Sequence, residues 1–450
     1  MVKRANGSYL NDTESQSRPS PKIIPRAAHT ISRADIANSA LKVLYRLDKA
    51  GYQAFLVGGG VRDLLLGLRP KDFDVATDAR PEQVRELFGN SRLIGRRFKL
   101  AHVRFGREII EVVTFRAAAD TVHDDRAHAA SGRILRDNVF GAIEEDIWRR
   151  DFTVNALYYN IADFTVWDFT SGMEDVASRT LRLIGDPETS YREDPVRMLR
   201  AVRFAAKLDF SIASEAATPI GRLGQLLRDV PPARLFDETL KLFQAGYALS
   251  SLERLLAHDL FKYLFPYTAE SLANDQTGLV LRLLREGLAN TDRRVASDQS
   301  VTPMFLYAVM LWHPIHETAL RLQAEDGLRD TESLLRACDL IVSGQQSYTA
   351  FPKRFSLPMK DILVMQQRFV NRRGARAHRQ LQHKRFRAAY DFLLLRAKCG
   401  QADPELADWW TRVQELSADE QRKAFEIKRR RRPKKSRSAA DAGRHPTQAH

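Results

Sequence analysis

The feature that most constrains the fold is a change of period along the chain. Up to about residue 170, short apolar segments alternate with glycine and proline turns; from Asp194 to about residue 420, apolar residues recur at helical spacing almost throughout. A sheet-containing head followed by a helical remainder is expected, an α+β chain. In the head, "AFLVGG" (54–59) reads as a strand running into glycines, and "VRDLLLG" as a short helix ended by Gly67. "DFDVAT" (72–77) alternates like a strand, and "PEQVRELF" (81–88) is a helix with Pro81 in its first turn. "FKLAHVRFGREIIEVVTFR" (98–116) reads as a hairpin turning at Gly106, and "FTVWDFT" (164–170) as a further hairpin strand. "LFDETLKLF" (235–243), "SLERLLAHDLFKYLF" (251–265), "MFLYAVMLW" (304–312) and "FRAAYDFLLLRA" (386–397) are helical. No internal repeat stands out.

Residues 1–31 are rich in Ser, Asn, Pro and charge and read as disordered. Order is expected from Ser32, an N-cap for a helix whose stripe is Ile36, Leu41, Leu44 and Leu47 and which Gly51 closes. The divisions that follow are a head at 32–175, a helical neck at 176–245, a helical body at 246–425 and a basic, flexible tail at 426–450.

The tail fits the whole chain, whose 450 residues carry a formal net charge of +15. That charge points to a polyanionic partner, nucleic acid before membrane, although a basic but otherwise ordinary soluble protein would also show it. The two cysteines, Cys338 and Cys399, form no CxxC pair, so neither a zinc site nor a disulfide framework is indicated and a reducing compartment fits. No apolar run reaches membrane-spanning length and no hydrophobic signal core begins the chain. A soluble, cytoplasmic protein with no membrane partner is expected.

The densest chemistry is in "VGGGVRDLLLGLRPKDFDVATD" (57–78). Glycines such as Gly58 and Gly59 let backbone N–H groups approach a phosphate without a Cβ in the way, and the helix that starts there points its positive end at the same place. Arg62 adds a fixed charge. A tight structural turn would use the same glycines. Asp72 and Asp74 lie two apart on the expected strand, which puts both carboxylates on one face. Such a pair suits Mg²⁺ between them, or a turn open to water. Glu111, in "EIIEVVTF", alternates with Ile110 and Val112 and supplies a third carboxylate on a strand of the same small sheet, unless it simply marks a solvent face.

"GGGVRDLLLGLRPKDFD", "RRDFTVNALYY" (149–159) and "EDPVRMLRAVRF" (193–204) resemble the signature motifs of the class II nucleotidyltransferases, the bacterial poly(A) polymerases and the CCA-adding tRNA nucleotidyltransferases. The resemblance extends over residues about 32 to 400, with the motifs in the family's order. "RLIGRRFKLAHVRFGREIIEVVTFR", "RFRAAYDFLLLRA" and the arginine-rich tail resemble the poly(A) polymerase branch. The resemblance implies a mixed-sheet nucleotidyltransferase head with an all-α neck and body. It implies Asp72, Asp74 and Glu111 as Mg²⁺ ligands and catalytic groups, and Asp151 as a further active-site carboxylate. Gly59 and Arg62 would contact nucleotide phosphate, and Arg150 would line the nucleotide pocket. Arg197 and Arg200 would face the incoming nucleotide, with Glu193 and Asp194 holding or reading its base.

The residues have plainer readings beside these. Asp194 before Pro195 is a strong helix start, so Asp194 is a cap, a base contact, or both. Arg197 and Arg200 share a helix face. "RRD" could be a surface arginine pair bridged to Asp151. His258-Asp259 resembles the His-Asp pair of metal phosphohydrolases but lacks further ligands, and His123, Asp124, Asp125 and His128 read as a loop. Trp312, Trp409 and Trp410 read as core rather than base-stacking platforms. "NRRGARAHRQLQHKRFR" (371–387) is a solvated face or an RNA-backbone track; in the tail, Arg429, Arg430, Arg431, Arg432, Lys434 and Lys435 would bind RNA.

The expected activity is template-independent addition of AMP from ATP to RNA 3′ ends, with mRNA, regulatory RNA and tRNA precursors as targets and RNA-decay or RNA-chaperone proteins as partners. CCA addition to tRNA is the rival reaction. A non-catalytic RNA-binding protein is the rival from another class, against which an intact carboxylate trio argues.

Overall fold

The head is built on a sheet of eight strands, and a separate two-stranded hairpin is also formed. In chain order the strands are β1 (Lys22–Ile24), β2 (Ala54–Val57), β3 (Asp74–Thr77), β4 (Ser91–Ile94), β5 (Leu100–Phe105), β6 (Glu108–Thr114), the separate hairpin β7 (Ala127–His128) and β8 (Ile134–Arg136), then β9 (Leu157–Asn160) and β10 (Val166–Asp168). The spatial order is β1-β10-β9-β2-β3-β6-β5-β4. β3 and β6 run parallel; the other neighbours in this sheet run antiparallel. The computed structural model describes residues 20–95, 99–117, 127–128, 134–136 and 139–426.

The sheet separates two cores. On one face the Asn38–Lys49 helix lays Val43, Leu44 and Leu47 against Leu56, Val75, Val103, Ile110 and Val112. Each of these side chains, fully removed from water, contributes roughly 1.5–3 kcal/mol. On the other face Phe55, Val57, Ala76, Phe115, Ile143, Ile147 and Tyr158 form a second cluster. Side chains alternate along a strand, so Asp74 and Glu111 fall on this second face, opposite to Val75, Ile110 and Val112. β2 is central and buried at all four positions, which is why it reads as an unbroken apolar run.

Two expectations change. Residues 20–31 were expected to lie outside the ordered chain, yet Lys22–Ile24 forms the edge strand paired to β10. Ser32 does cap, but it caps a short 3-10 turn at Arg33–Asp35; the main helix starts at Asn38. The hairpin at Gly106 and the strand at 166–168 form as expected.

Beyond the head the chain is helical. The neck contains Pro187–Glu193, Val196–Leu208, Ser214–Leu223 and Pro232–Phe243. Phe152 of the head meets Phe204 of the neck edge-on at 5.6 Å, and one core runs through both. In the body Tyr307 stacks on Phe351 at 3.9 Å, and the Trp410 indole N–H donates to Phe369 O at 2.9 Å. Trp312 and Trp410 are core, as expected, whereas Trp409 is only partly buried. Residues 371–387 form no single helix: a turn precedes the Gly374–Gln380 helix, and a new helix starts at Phe386. Among the described residues no helix is long and apolar enough to cross a membrane. Arg429, Arg430, Arg431, Arg432, Lys434 and Lys435 lie outside the described residues, as do His123, Asp124 and Asp125.

Candidate active site

The site forms where β2 gives way to the Gly59–Leu65 helix. Gly58 makes that turn with φ of +72°, a backbone state that a side chain would strain, and the position of its missing Cβ lies 3.9 Å from Arg150 Nη1. Gly60 has a different reason to be small: its Cβ would lie 3.4 Å from the Asp72 carbonyl, so the loop carrying Asp72 is packed onto the turn.

β3 then carries Asp74 to the sheet, paired with Val57 on one side and in parallel register with Glu111 on the other. Asp72 lies before the strand rather than on it, so strand period alone does not set its direction. Asp74 still senses both of the other carboxylates. Burial first, then the charges of Glu111 and Asp72, push the Asp74 carboxyl up to about 6, with Arg150 opposing. His102, directly across from Glu111 on β5, brings Nε2 to 3.6 Å from a Glu111 oxygen. Among the described residues no three His, Cys, Asp or Glu side chains close on one point as a metal-ligand group. The three carboxylates lie near enough for two of them to raise the third, without closing on one point. Its chemistry fits a hard divalent cation: the donors are carboxylate oxygens, and the repulsion on Asp74 is what a cation between them relieves.

Arg150 is the cation held beside this face. Asp146 Oδ2 accepts from its Nε and Nη2 at 3.2 and 2.9 Å, and the guanidinium lies over the Tyr158 ring, whose hydroxyl is 2.6 Å from Nε. Asp146 is one turn upstream, an i,i+4 signal present in the sequence. Arg62, by contrast, is fully buried. Its Nη2 donates to Asp63 Oδ1 at 2.6 Å and its Nη1 to Asn155 Oδ1 at 2.5 Å. As it stands Arg62 fastens the glycine helix to the "RRDFTVNA" segment, and Lys207 of the neck pairs with Asp63 from the other side at 3.2 Å.

Asp151 is brought to the neck and not to the carboxylate trio. Its Oδ2 accepts from Arg200 Nε at 2.7 Å and forms an ion pair with Arg200 Nη2 at 2.5 Å; its Oδ1 accepts from Phe152 N–H at 2.9 Å and Asn155 Nδ2 at 3.1 Å. Burial disfavours its charge, but Arg200 and these hydrogen bonds outweigh burial and hold the carboxyl below its ordinary range. The arginine bridged to Asp151 is therefore Arg200, not a neighbour in "RRD".

In the neck Asp194 does two things. Oδ1 accepts from Val196 N–H at 3.3 Å, a helix cap, and Oδ2 accepts from Arg234 at 2.7 Å. Arg197 turns back to Ser190 Oγ at 2.6 Å and Glu193 Oε2 at 3.2 Å. Arg197 and Arg200 start from one helix face but serve different partners. Sequence reasoning missed His102, Asp146, Asn155, Tyr158 and Arg234. Asn155 and Tyr158 lie inside a quoted motif; nothing local marks His102 or Arg234.

Three family models match the chain: "Poly A polymerase head domain" at residues 54–182, "Probable RNA and SrmB- binding site of polymerase A" at 209–272, and "Polymerase A arginine-rich C-terminus" at 326–444. The chain is 51% identical over 410 residues to poly(A) polymerase I of Escherichia coli O157:H7, covering 90% of this chain and 88% of that protein. It is 42% identical to poly(A) polymerase I of Haemophilus influenzae, covering 94% of each. A solved structure of the Bacillus stearothermophilus CCA-adding enzyme with CTP superposes with a TM-score of 0.56 at 25% identity, over 83% of this chain and 81% of that one. The chain belongs to the bacterial poly(A) polymerase family.

Proposed function

We infer that this chain is a template-independent polymerase that adds AMP from ATP to RNA 3′ ends. The oxygen of the RNA 3′-hydroxyl attacks the α-phosphorus of ATP, a new phosphodiester bond forms, the α–β bond breaks and pyrophosphate leaves. The observation that carries the reading is the in-register pair Asp74 and Glu111, with Asp74 pushed up to about 6, beside Gly58 and Arg150. Asp72, Asp74 and Glu111 would hold Mg²⁺, which when bound would acidify the 3′-hydroxyl and neutralise the triphosphate.

The protein's own groups do the rest. Asp146 and Tyr158 pre-orient Arg150, so the guanidinium meets a phosphate without reorganising. Glu193, Asp194 and Arg197 would offer acceptors and a donor to a base by exchanging the bonds they now make with one another, Ser190 and Arg234, which would make base choice a matter of protein hydrogen bonds and remove the need for a template. Asp151 acts through Arg200, locking head to neck so that both halves of the nucleotide site hold one spacing. The targets are mRNA, regulatory RNA and tRNA precursors in the cytoplasm, with RNA-decay or RNA-chaperone proteins as partners.

Polyadenylation is preferred to CCA addition on the extent of likeness. The poly(A) polymerases match nearly end to end, whereas the Bacillus subtilis CCA-adding enzyme is 36% identical over 50% of this chain. The test offers an unstructured RNA and a tRNA lacking CCA with labelled ATP or CTP. Repeated AMP addition to the unstructured RNA is expected. CTP incorporation confined to the tRNA would overturn the reading, and no incorporation at all would leave a non-catalytic RNA binder.

A further inference from the structure

One row of side chains crosses four strands of the head on a single face. Paired residues of neighbouring strands share a face, and the registers pair Asp74 with Glu111, Glu111 with His102, and His102 with Arg92. Two residues further along β5, Arg104 lies on the same face, opposite Ile109. Ala101, Val103 and Ile110, which alternate with these residues, belong to the core on the other side of the sheet. The row therefore leads from the carboxylates on β3 and β6 out to Arg92 on β4, the edge strand. Arg92 stands two strand spacings from Glu111, roughly 10 Å.

The groups assigned to the nucleotide occupy only one flank of the carboxylates. Arg150 lies over Tyr158 of β9 and beside Gly58 at the end of β2, and the neck is fastened through Asp63 and Asp151 on the same flank. The β5–β4 flank is open. Arg92 and Arg104 are exposed, and the side chains of Glu111 and His102 are 42% and 27% exposed. Neither guanidinium has a hydrogen-bond or ion-pair partner among the described residues, whereas Arg150 and Arg200 on the other flank are each paired with a carboxylate. The backbone beneath Arg104 is fixed: its N–H donates to Asn90 O at 3.1 Å and its O accepts from Asn90 Nδ2 at 2.6 Å. Arg92 and Arg104 are diagonal neighbours on adjacent strands, about 7–8 Å apart. Two like charges so placed repel, and an anion between them relieves the repulsion.

In phosphoryl transfer the attacking and leaving oxygens lie roughly in line through phosphorus. With the triphosphate on the β2 flank, the attacking 3′-hydroxyl arrives from the β5–β4 flank, and the phosphodiester that precedes it comes to lie over Arg92 and Arg104. We propose that Arg92 and Arg104 form the subsite for the last phosphodiester of the RNA being extended, placing its terminal nucleotide so that the 3′-hydroxyl meets the carboxylates. This deepens the reading of the chain as an RNA-extending enzyme and rests on it. Guanidinium groups suit phosphate oxygens, which they meet in pairs of hydrogen bonds, and two forks converging from adjacent strands fix the position of one phosphate.

The test compares full-length wild type with the R92A/R104A and R92K/R104K variants. The probe is an unstructured RNA in which a single linkage is replaced by an uncharged methylphosphonate, either the last before the 3′ end or one well upstream. RNA binding is measured without ATP across a salt series, ATP binding separately, and AMP incorporation alongside. Wild type loses roughly tenfold in RNA affinity when the last linkage is neutral, and clearly less when the upstream one is. R92A/R104A binds the natural RNA roughly tenfold more weakly and is indifferent to a neutral last linkage, the non-additivity expected of groups in contact. Its log–log salt slope is shallower by roughly 0.7, one phosphate contact on a single strand. ATP affinity is unchanged, and R92K/R104K, which keeps both charges, keeps the slope. Both positions are exposed, and circular dichroism verifies the fold. A wild type that responds equally to either neutral linkage overturns the proposal, as does R92A/R104A with the full terminal loss. Weaker ATP binding with RNA binding unaltered also overturns it, by giving the two arginines to the triphosphate. If wild type shows the terminal loss but adds no AMP, the functional reading fails while the subsite for the RNA end stands.

Discussion

Replacing Arg200 with methionine tests how the head is locked to the neck. Asp151 accepts three hydrogen bonds, and Arg200 supplies one of them together with the facing positive charge of its ion pair. The side chains of Arg200 and Asp151 are 31% and 11% exposed, so the pair is mostly out of water. Breaking a buried pair from one side costs about 3–5 kcal/mol; partial exposure of Arg200 puts Arg200→Met near about 3 kcal/mol. The sign with pH follows from Asp151. In wild type its folded pKa is depressed, so its contribution is full above the unfolded value and is lost as pH falls through the folded one. In Arg200→Met, burial is left to act against two remaining hydrogen-bond donors, and the folded pKa rises above the unfolded value. The deficit is therefore largest near neutrality and shrinks as pH falls from the raised folded pKa to the unfolded one, by about 1.4 kcal/mol per unit of that rise. Urea unfolding of wild type and Arg200→Met from pH 7 down to about pH 4, followed by circular dichroism, measures it. Asp151→Asn is milder, because Arg200 keeps the fields of Glu238 and Asp194. The double variant Asp151→Asn with Arg200→Met recovers most of the loss. A deficit below about 1 kcal/mol that does not change with pH refutes the argument.

Three further outcomes are expected. Asp74→Ala abolishes AMP incorporation, by several orders of magnitude, while urea stability stays equal or rises, because it removes a carboxylate its neighbours repel; near-normal turnover with Mg²⁺ would contradict the site. Gly58→Ala costs about 1–3 kcal/mol from its positive φ and raises KM for ATP, read by urea unfolding and initial rates. Arg197→Ala, losing its bonds to Ser190 and Glu193, relaxes preference for ATP over CTP with RNA affinity little changed, read as the ratio of kcat/KM for the two nucleotides.

The order of elements was legible because their causes are local. The alternation in "EIIEVVT" put Glu111 opposite Ile110 and Val112, and the parallel register with β3 is consistent with it. Pro81 opens its helix and Gly106 turns its hairpin, since both act through their own φ. Lys22–Ile24 was illegible for the same reason: a three-residue edge strand has almost no period of its own and exists only because β10 is there to pair with.

The residue types of the site, too, were set by the sequence alone: three carboxylates, a glycine turn, the arginines of two motifs. Which of them meet was decided in three dimensions. Asp74 and Glu111 are neighbours through a parallel register, Asp151 and Arg200 through the seating of head on neck, Asp194 and Arg234 through the packing of two neck helices. Arg62 and Arg150 look alike in sequence, yet one is buried in a lock with Asp63 and Asn155 while the other is held beside the glycine turn. The physical reason is range. Backbone preference and side-chain period act over a few residues, whereas the charge, burial and hydrogen-bond partners of an ionisable group depend on segments that only the folded core brings within reach.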